Sequence, residues 1–278
     1  MALEWAKGMS AMRRTIFTLL SIIMLMSCAC VIAVSDPNSS GQYWPKSQFR
    51  KGLDLKPGSA VALENSDGDL EISGWENERI EISAERGGEY PKTGGIYFLN
   101  RRFSRPDVRV QSAGDSVRIW TRESGYEDER DVVNYVLQVP HSVNLDSIRN
   151  GRGRIVIADI YGRSLLDAEE GEIKISNYSG SLDVRLGSGA VEAELLDLRP
   201  QDSVRVRVES GDIVLLLEPD VAAQLIADAP AGGIFSEIEL GQTLPAKKVS
   251  AKLGAGQASI ELTSVKGDIR IRKVEETQ

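Results

Sequence analysis

The chain has 278 residues, of which 41% are hydrophobic, 27% charged and 6% aromatic, a composition that excludes disorder and a multi-spanning membrane protein. With 33 basic against 41 acidic residues the net charge is -8, which excludes the basic footprint of a nucleic-acid-binding protein. One histidine, His141, and two cysteines, Cys28 and Cys30, leave neither a soft metal-ligand set nor a disulfide framework, so no cofactor and no metal are expected.

In chain order, Arg13 and Arg14 precede an uncharged run of 19 residues, 16–34 (IFTLLSIIMLMSCACVIAV), which meets a polar, turn-rich stretch at Ser35. That is the outline of an export signal, and the run is long enough to approach the ~30 Å apolar thickness of a bilayer. Three fates are open to it. Leu25-Met26-Ser27-Cys28 resembles a lipobox, which would make Cys28 an acylated N-terminus; small residues near Ala33 and Ser35 suit plain cleavage; and the run could stay as an uncleaved anchor with its arginines inside. Residues 1–35 are therefore read as signal peptide or membrane anchor, 36–48 as linker, and 49–278 as one β-strand-repeat domain. Removal of the signal takes one acid (Glu4) and three bases (Lys7, Arg13, Arg14), leaving 30 basic and 40 acidic residues, a net -10.

Upstream in that domain, residues 60–84 predict three strands with turns at 66–68 and 74–77, and further strands are expected at 108–110, 116–121 and 133–139. Between them, residues 86–106 (RGGEYPKTGGIYFLNRRFSRP) break the pattern with Gly-Gly, Pro and a basic-aromatic mixture. This is read as an excursion whose Tyr97, Phe98, Arg101, Arg102 and Phe103 have the composition of a ligand-binding loop, aromatics stacking on sugars and arginines holding anions. A loop folding its own aromatics back over the end of the repeat fits the same residues.

From Gly153 to Gly189 a glycine recurs every nine residues, at 153, 162, 171, 180 and 189. Two places after each comes Ile155, Ser164, Ile173, Leu182 or Val191, and four places after comes Ile157, Leu166, Ile175, Val184 or Ala193. The same rule fits Gly68, Gly211, Gly256 and Gly267. Period-two alternation after a glycine corner predicts half-buried strands, and two nine-residue legs predict an eighteen-residue coil. One leg cannot bury its apolar side alone, so the coils must stack as a β-solenoid of parallel strand repeats, lengthening to 22 residues from Gly189 to Gly211 and 23 from Gly233 to Gly256. Residues eighteen apart should then be neighbours, placing Arg154 over Glu172, Lys174 over Glu192 and Asp167 over Arg185. Residues 221–227 could supply a short turn of helix, and the charged segments 48–55 and 270–274 would guard the open ends.

Pro57-Gly58, the run 65–70 (NSDGDL), Gly74-Trp75, the strand 135–140 (YVLQVP) and the legs that follow Asn150-Gly151 together resemble the bacterial putative-adhesin family. That is a domain of unknown function built from β-strand repeats in envelope-associated and membrane-anchored proteins. The resemblance spans about residues 49–273. It implies a stacked-strand fold and an envelope location, and it transfers no catalytic residue.

The candidate chemistries are weighed on the same residues. The Gly-Asp pairs do not make a calcium nonapeptide, because the equivalent places hold Arg154, Arg163, Ser181 and Ala190. His141 reads as a turn residue. Asp167, Glu169, Glu170 and Glu172 are the densest acids and could serve a glycosidase only if they converge in a groove. The expectation is an exported, membrane-tethered, non-enzymatic binding or scaffold module of the envelope, with polysaccharide or a protein as partner. A polysaccharide hydrolase or lyase on a β-helix scaffold, and a structural or regulatory partner of another membrane protein, are the alternatives.

Overall fold

The computed structural model describes residues 48–86, 107–122, 132–241 and 243–274, all within one compact unit, Lys46–Gln278. Residues 1–47, which hold the segment read as signal or anchor and all of the expected linker but Gln48, lie outside them. Among the described residues every regular element is a strand, and none is a helix long and apolar enough to cross a membrane.

The elementary unit is two legs joined at a glycine. Strand β2 (Ala60–Asp67) turns at Gly68 into β3 (Leu70–Trp75), and β8 (Asn144–Arg152) turns at Gly153 into β9 (Ile155–Ala158). The long strands β10 (Ser164–Tyr178) and β11 (Leu182–Leu195) carry Gly171 and Gly189 at the same place, and β12 (Ser203–Ser210) turns at Gly211 into β13 (Ile213–Leu217). The corner is visible in the burial. In β11, Leu182, Val184 and Leu186 point inward before Gly189 and Val191, Ala193 and Leu195 after it, so the inward parity changes at the glycine. The core is the column of these side chains, filled by Val, Ile and Leu from every rung.

Register confirms the eighteen-residue coil. Parallel pairing sets Ser164 opposite Leu182, Gly171 opposite Gly189 and Lys174 opposite Glu192. Of the three expected ion pairs, Lys174–Glu192 forms at 3.1 Å. Asp167 and Arg185 are in register, but Arg185 turns to Asp183 at 3.8 Å. Arg154 reaches Asp69 on its other side, while the eighteen-residue pair that does close is Arg152–Glu170 at 3.0 Å. Apart from the half-buried Asp183 these groups are exposed, so the pairs fix little beyond side-chain placement.

The coils do not stack in simple chain order. After β3 the chain forms β4 (Arg79–Arg86), β5 (Val108–Ala113), β6 (Ser116–Thr121) and β7 (Val133–Pro140). Strands β6 and β7 make a rung outside β2 and β3, which are thereby enclosed between that rung and β8 and β9. The other end repeats the device. Strands β14 (Ala223–Asp228) and β15 (Ile234–Ser236) form the outermost rung, and the last strands, β17 (Ala258–Ser264) and β18 (Ile269–Lys273), lie between it and β12 and β13. Gly267 therefore stacks on Gly211, and the 23-residue spacing from Gly233 to Gly256 is not a coil.

Every rung-to-rung pairing is parallel; antiparallel pairing is confined to the strands added at the ends. These are β5 on β6, β4 on β7, β1 (Gln48–Asp54) on β4, and β16 (Lys248–Leu253) on β14. Segment 48–55 is thus at an open edge as expected. Segment 270–274 is not, because β18 is paired on both sides and β16 takes the guarding place, with Lys248 and Lys252 exposed. Nor is 221–227 helical, since Ala223, Leu225 and Ala227 are alternate buried residues of a strand.

Gly189 lies at φ +136°, and a Cβ there would fall on the carbonyl oxygen of Gly171. Gly58 lies at φ +82° with no atom within 4 Å of its missing Cβ. Gly189→Ala is expected to cost about 3–5 kcal/mol, strain and overlap together, against about 1–2 kcal/mol for Gly58→Ala, as read from urea unfolding midpoints. Equal losses at the two positions would mean that the stacked corner is not the constraint.

Candidate functional site

The basic-aromatic excursion carrying Tyr97, Phe98, Arg101, Arg102 and Phe103, like Cys28, lies outside the described residues. Its two anchors are described. Strand β4 ends at Arg86, opposite Val133, and β5 opens at Val108, opposite Thr121. Thr121 and Val133 are themselves the last and first residues of β6 and β7, where other rungs have a glycine turn and this one has residues 122–132 instead. Four chain ends therefore meet at one corner of the end rung.

That corner is backed by a buried polar chain. Tyr135 donates its hydroxyl to Thr121 Oγ1 at 2.6 Å, and Thr121 donates on to Asn65 Oδ1 at 3.3 Å. Asn65 Nδ2 reaches Val133 O at 3.0 Å and Asn150 Oδ1 at 3.1 Å, and Asn150 Nδ2 reaches Gly68 O at 3.0 Å. Asn65, Asn150 and Tyr135 are no more than 4% exposed. Each amide satisfies a corner carbonyl that would otherwise be buried without a donor, and the series polarises along its length. Farther along the stack Ser264 does the same for Gly211 O at 2.7 Å. Burial pushes the Tyr135 hydroxyl up to about 12, and burial also drives Tyr178 upward.

The Gly-Asp pairs have a structural task. Asp69 Oδ1 accepts the Arg154 N–H at 2.8 Å, Asp212 Oδ1 the Asp268 N–H at 2.8 Å, and Asp268 Oδ1 the Gly233 N–H at 2.9 Å. Each carboxylate ties its own corner to the next rung. The Asp268 N–H, with the Arg270 guanidinium at 2.8 Å, lowers the Asp212 carboxyl below its ordinary value. Among the described residues no three His, Cys, Asp or Glu side chains are grouped to hold a metal.

The acids Asp167, Glu169, Glu170 and Glu172 are all exposed on the outside of β10, and Glu170 is taken up by Arg152. Two concavities of the described surface lie elsewhere. One of about 370 Å³ follows β15, lined by residues that include Glu237, Ile238, Leu240 and Leu244; a smaller one, of about 120 Å³, includes Asp197, Glu218 and Asp220.

His141 does sit in a turn, between β7 and β8, but sequence reasoning missed its surroundings. Its Nδ1 lies 2.8 Å from Asp159 O, its Nε2 3.4 Å from Glu76 Oε1, and its ring stacks on Tyr161 at 5.0 Å and 12°. The bond to Asp159 crosses an intervening rung over Gly74, where a Cβ would collide with both partners. The Gly74-Trp75 motif was the only trace of this in the sequence.

Residues 147–272 match the Toastrack DUF4097 family model, which bears out the resemblance read from the repeat legs and covers the stack from β8 to β18. No curated protein matches the sequence. A putative cell adhesion protein from Clostridium sporogenes aligns over 82% of this chain and all of its own, with 14% identity and a TM-score of 0.48. A putative adhesin from Bacteroides fragilis aligns over 82% of this chain and 97% of its own, with 7% identity and a TM-score of 0.29. A putative lipid binding protein from Parabacteroides distasonis covers the same shares, with 10% identity and a TM-score of 0.27.

The buried hydroxyl has a measurable consequence. A folded-state value raised above the unfolded one, about 10, contributes stability that is complete below pH 10 and is lost as pH rises toward 12. In an absorbance titration at 295 nm, Tyr135 and Tyr178 should ionise late among the seven tyrosines, together with loss of the strand circular dichroism signal. Ionisation of all seven near pH 10 with the strand signal intact would contradict the buried network.

Proposed function

We propose that this chain, whose residues 147–272 match the Toastrack DUF4097 family, is a non-enzymatic binding module of the cell envelope, held there by its N-terminal segment. Arg13, Arg14 and the apolar run 16–34 support export, and Cys28 in its lipobox-like setting supports a lipid tether. The binding element is the excursion of residues 86–106, with Tyr97, Phe98 and Phe103 as stacking surfaces and Arg101 and Arg102 as anion-holding groups. Envelope polysaccharide is the partner whose chemistry suits that combination.

The observation that carries this reading is the convergence at the end rung. Arg86, Val108, Thr121 and Val133 bring both interruptions of the repeat to one corner, and the Tyr135–Thr121–Asn65–Asn150 chain stiffens the strands that bear them. A binding loop mounted on a rigid stack loses less freedom on engaging its ligand than one mounted on a yielding support.

The test is retention of the protein on a panel of envelope polysaccharides, with newly formed reducing ends scored in parallel. Retention without cleavage is expected, and Arg101→Ala, Arg102→Ala and Phe103→Ala should each weaken it about tenfold, the equivalent of one lost charge-assisted or stacking contact. Lys248→Ala, on the edge strand of the opposite end, should leave it unchanged. Release of reducing ends would replace this reading with a hydrolase or lyase, and absence of retention would replace it with a protein partner.

A further inference from the structure

The turn between β3 and β4, residues 76–78, is a strap. Strand β7 pairs with β3 on one side and β4 on the other, so the short connection between those two must pass over the end of β7, where Pro140 leads into His141. Backbone bonds hold it from below, His141 N–H to Trp75 O at 3.2 Å and Leu55 N–H to Glu78 O at 3.1 Å. The Trp75 indole N–H closes its base on Arg79 O at 2.9 Å. Its own side chain Glu76 is 95% exposed, and the contact recorded for it is His141 Nε2.

The imidazole geometry decides when that contact attracts. Asp159 O is a carbonyl and can only accept, so the 2.8 Å contact requires a proton on Nδ1. A neutral ring with its proton there presents a bare lone pair from Nε2 to the Glu76 carboxylate, two acceptors facing each other 3.4 Å apart. Only the doubly protonated ring makes both contacts at once. Among the described residues no other charged side chain is in contact with it. From the strap it faces Glu76; from the segment after β9 it faces Asp159 and Tyr161, and Asn177 Nδ2 takes up both the Asp159 carboxylate and the Tyr161 hydroxyl. Its own turn supplies only Pro140 and Ser142.

We propose that the β3–β4 strap is a proton-operated latch, closed when an imidazolium His141 binds Glu76 and open when the ring is neutral. Histidine is the side chain that changes charge in the range where envelope surroundings vary, between pH 5 and 8. The latch acts on β4, which starts at the strap and ends at Arg86, where the basic-aromatic segment departs, so protonation stiffens the strand that carries that segment. The mechanism does not depend on what the segment binds.

The chain holds a single histidine, which makes the test direct. In the full-length protein labelled with ¹⁵N, long-range ¹H–¹⁵N correlation of the neutral ring should show the proton on Nδ1. Amide exchange of β1 and the start of β4, corrected for intrinsic rates, should be about two- to fivefold more protected at pH 5.5 than at pH 7.5, the size of one partly exposed ion pair. Glu76→Gln, at an exposed position that folding tolerates, should abolish that difference. A neutral ring protonated on Nε2, equal protection at the two pH values, or an undiminished difference in Glu76→Gln would each overturn the latch.

Discussion

The structure depends on a column of backbone that leaves no room for side chains. At each first-to-second-leg corner, the carbonyl oxygen of one rung occupies the space where the next rung's Cβ would be. The column runs from Val133 O through Gly68, Gly153, Gly171, Gly189, Gly211 and Gly267 to Gly232. Parallel strands repeat at about 4.8 Å, and a sharp corner can repeat at that distance only if nothing projects from it along the stack. Gly171 at φ +147° and Gly189 at φ +136° add a second reason, since the backbone there is one that residues with a Cβ adopt only under strain. Fixing the corner fixes the inward positions on both sides of it, and with them the core.

A corner that buries carbonyls must also supply donors for them, and this shapes the polar interior. Asn65, Asn150 and Ser264 occupy the inward position three residues before a corner glycine, where other rungs carry Ala168, Leu186 and Val208. The amides concentrate at the end where the glycine turn is replaced by residues 122–132. Outside the same corners Asp69, Asp212 and Asp268 tie rung to rung. One sequence feature, Gly followed by Asp, thus reads as a stacking device.

The repeat was legible because each rung uses the same local grammar. The apolar places two and four residues after glycine and the strands at 60–84 and 108–139 follow from alternation, and the eighteen-residue register follows from the glycine recurrence. Stacking order was not legible, because a rung inserted between two others has the same pattern as one added at the end. Thus β18, with Arg270 and Arg272 on its outward side, looked like an edge guard and is interior. The 221–227 segment looked helical because Ala223 and Ala227 lack the β-branched bulk that marks the other strands. Of the candidate site, the basic-aromatic segment is legible as composition, whereas its anchorage beside a second interruption of the repeat depends on the long-range pairing of β4 with β7, which sets Arg86 opposite Val133.

Insertion at both ends also explains why the stack can stop. A solenoid that simply ran out would expose a parallel edge matching its own other end, a template for endless addition. Here each end doubles back, and the strands it adds outside the parallel rungs, β1, β4, β5 and β16, run antiparallel. A second copy offering a parallel rung meets a strand of the wrong direction, with Arg50, Arg109 or Lys248 along it. Reversal of direction requires a strap over the strand that is enclosed, which is why residues 76–78 cross β7 and residues 254–257 cross β14. Of the two, the first carries a carboxylate against a histidine, and the second carries Gly254 and Gly256 and is held where the Gln257 and Ala258 N–H groups donate to Ala222 O. The same topological need is therefore met once by a fixed turn and once by a contact whose strength depends on a proton, at the end from which the basic-aromatic segment leaves.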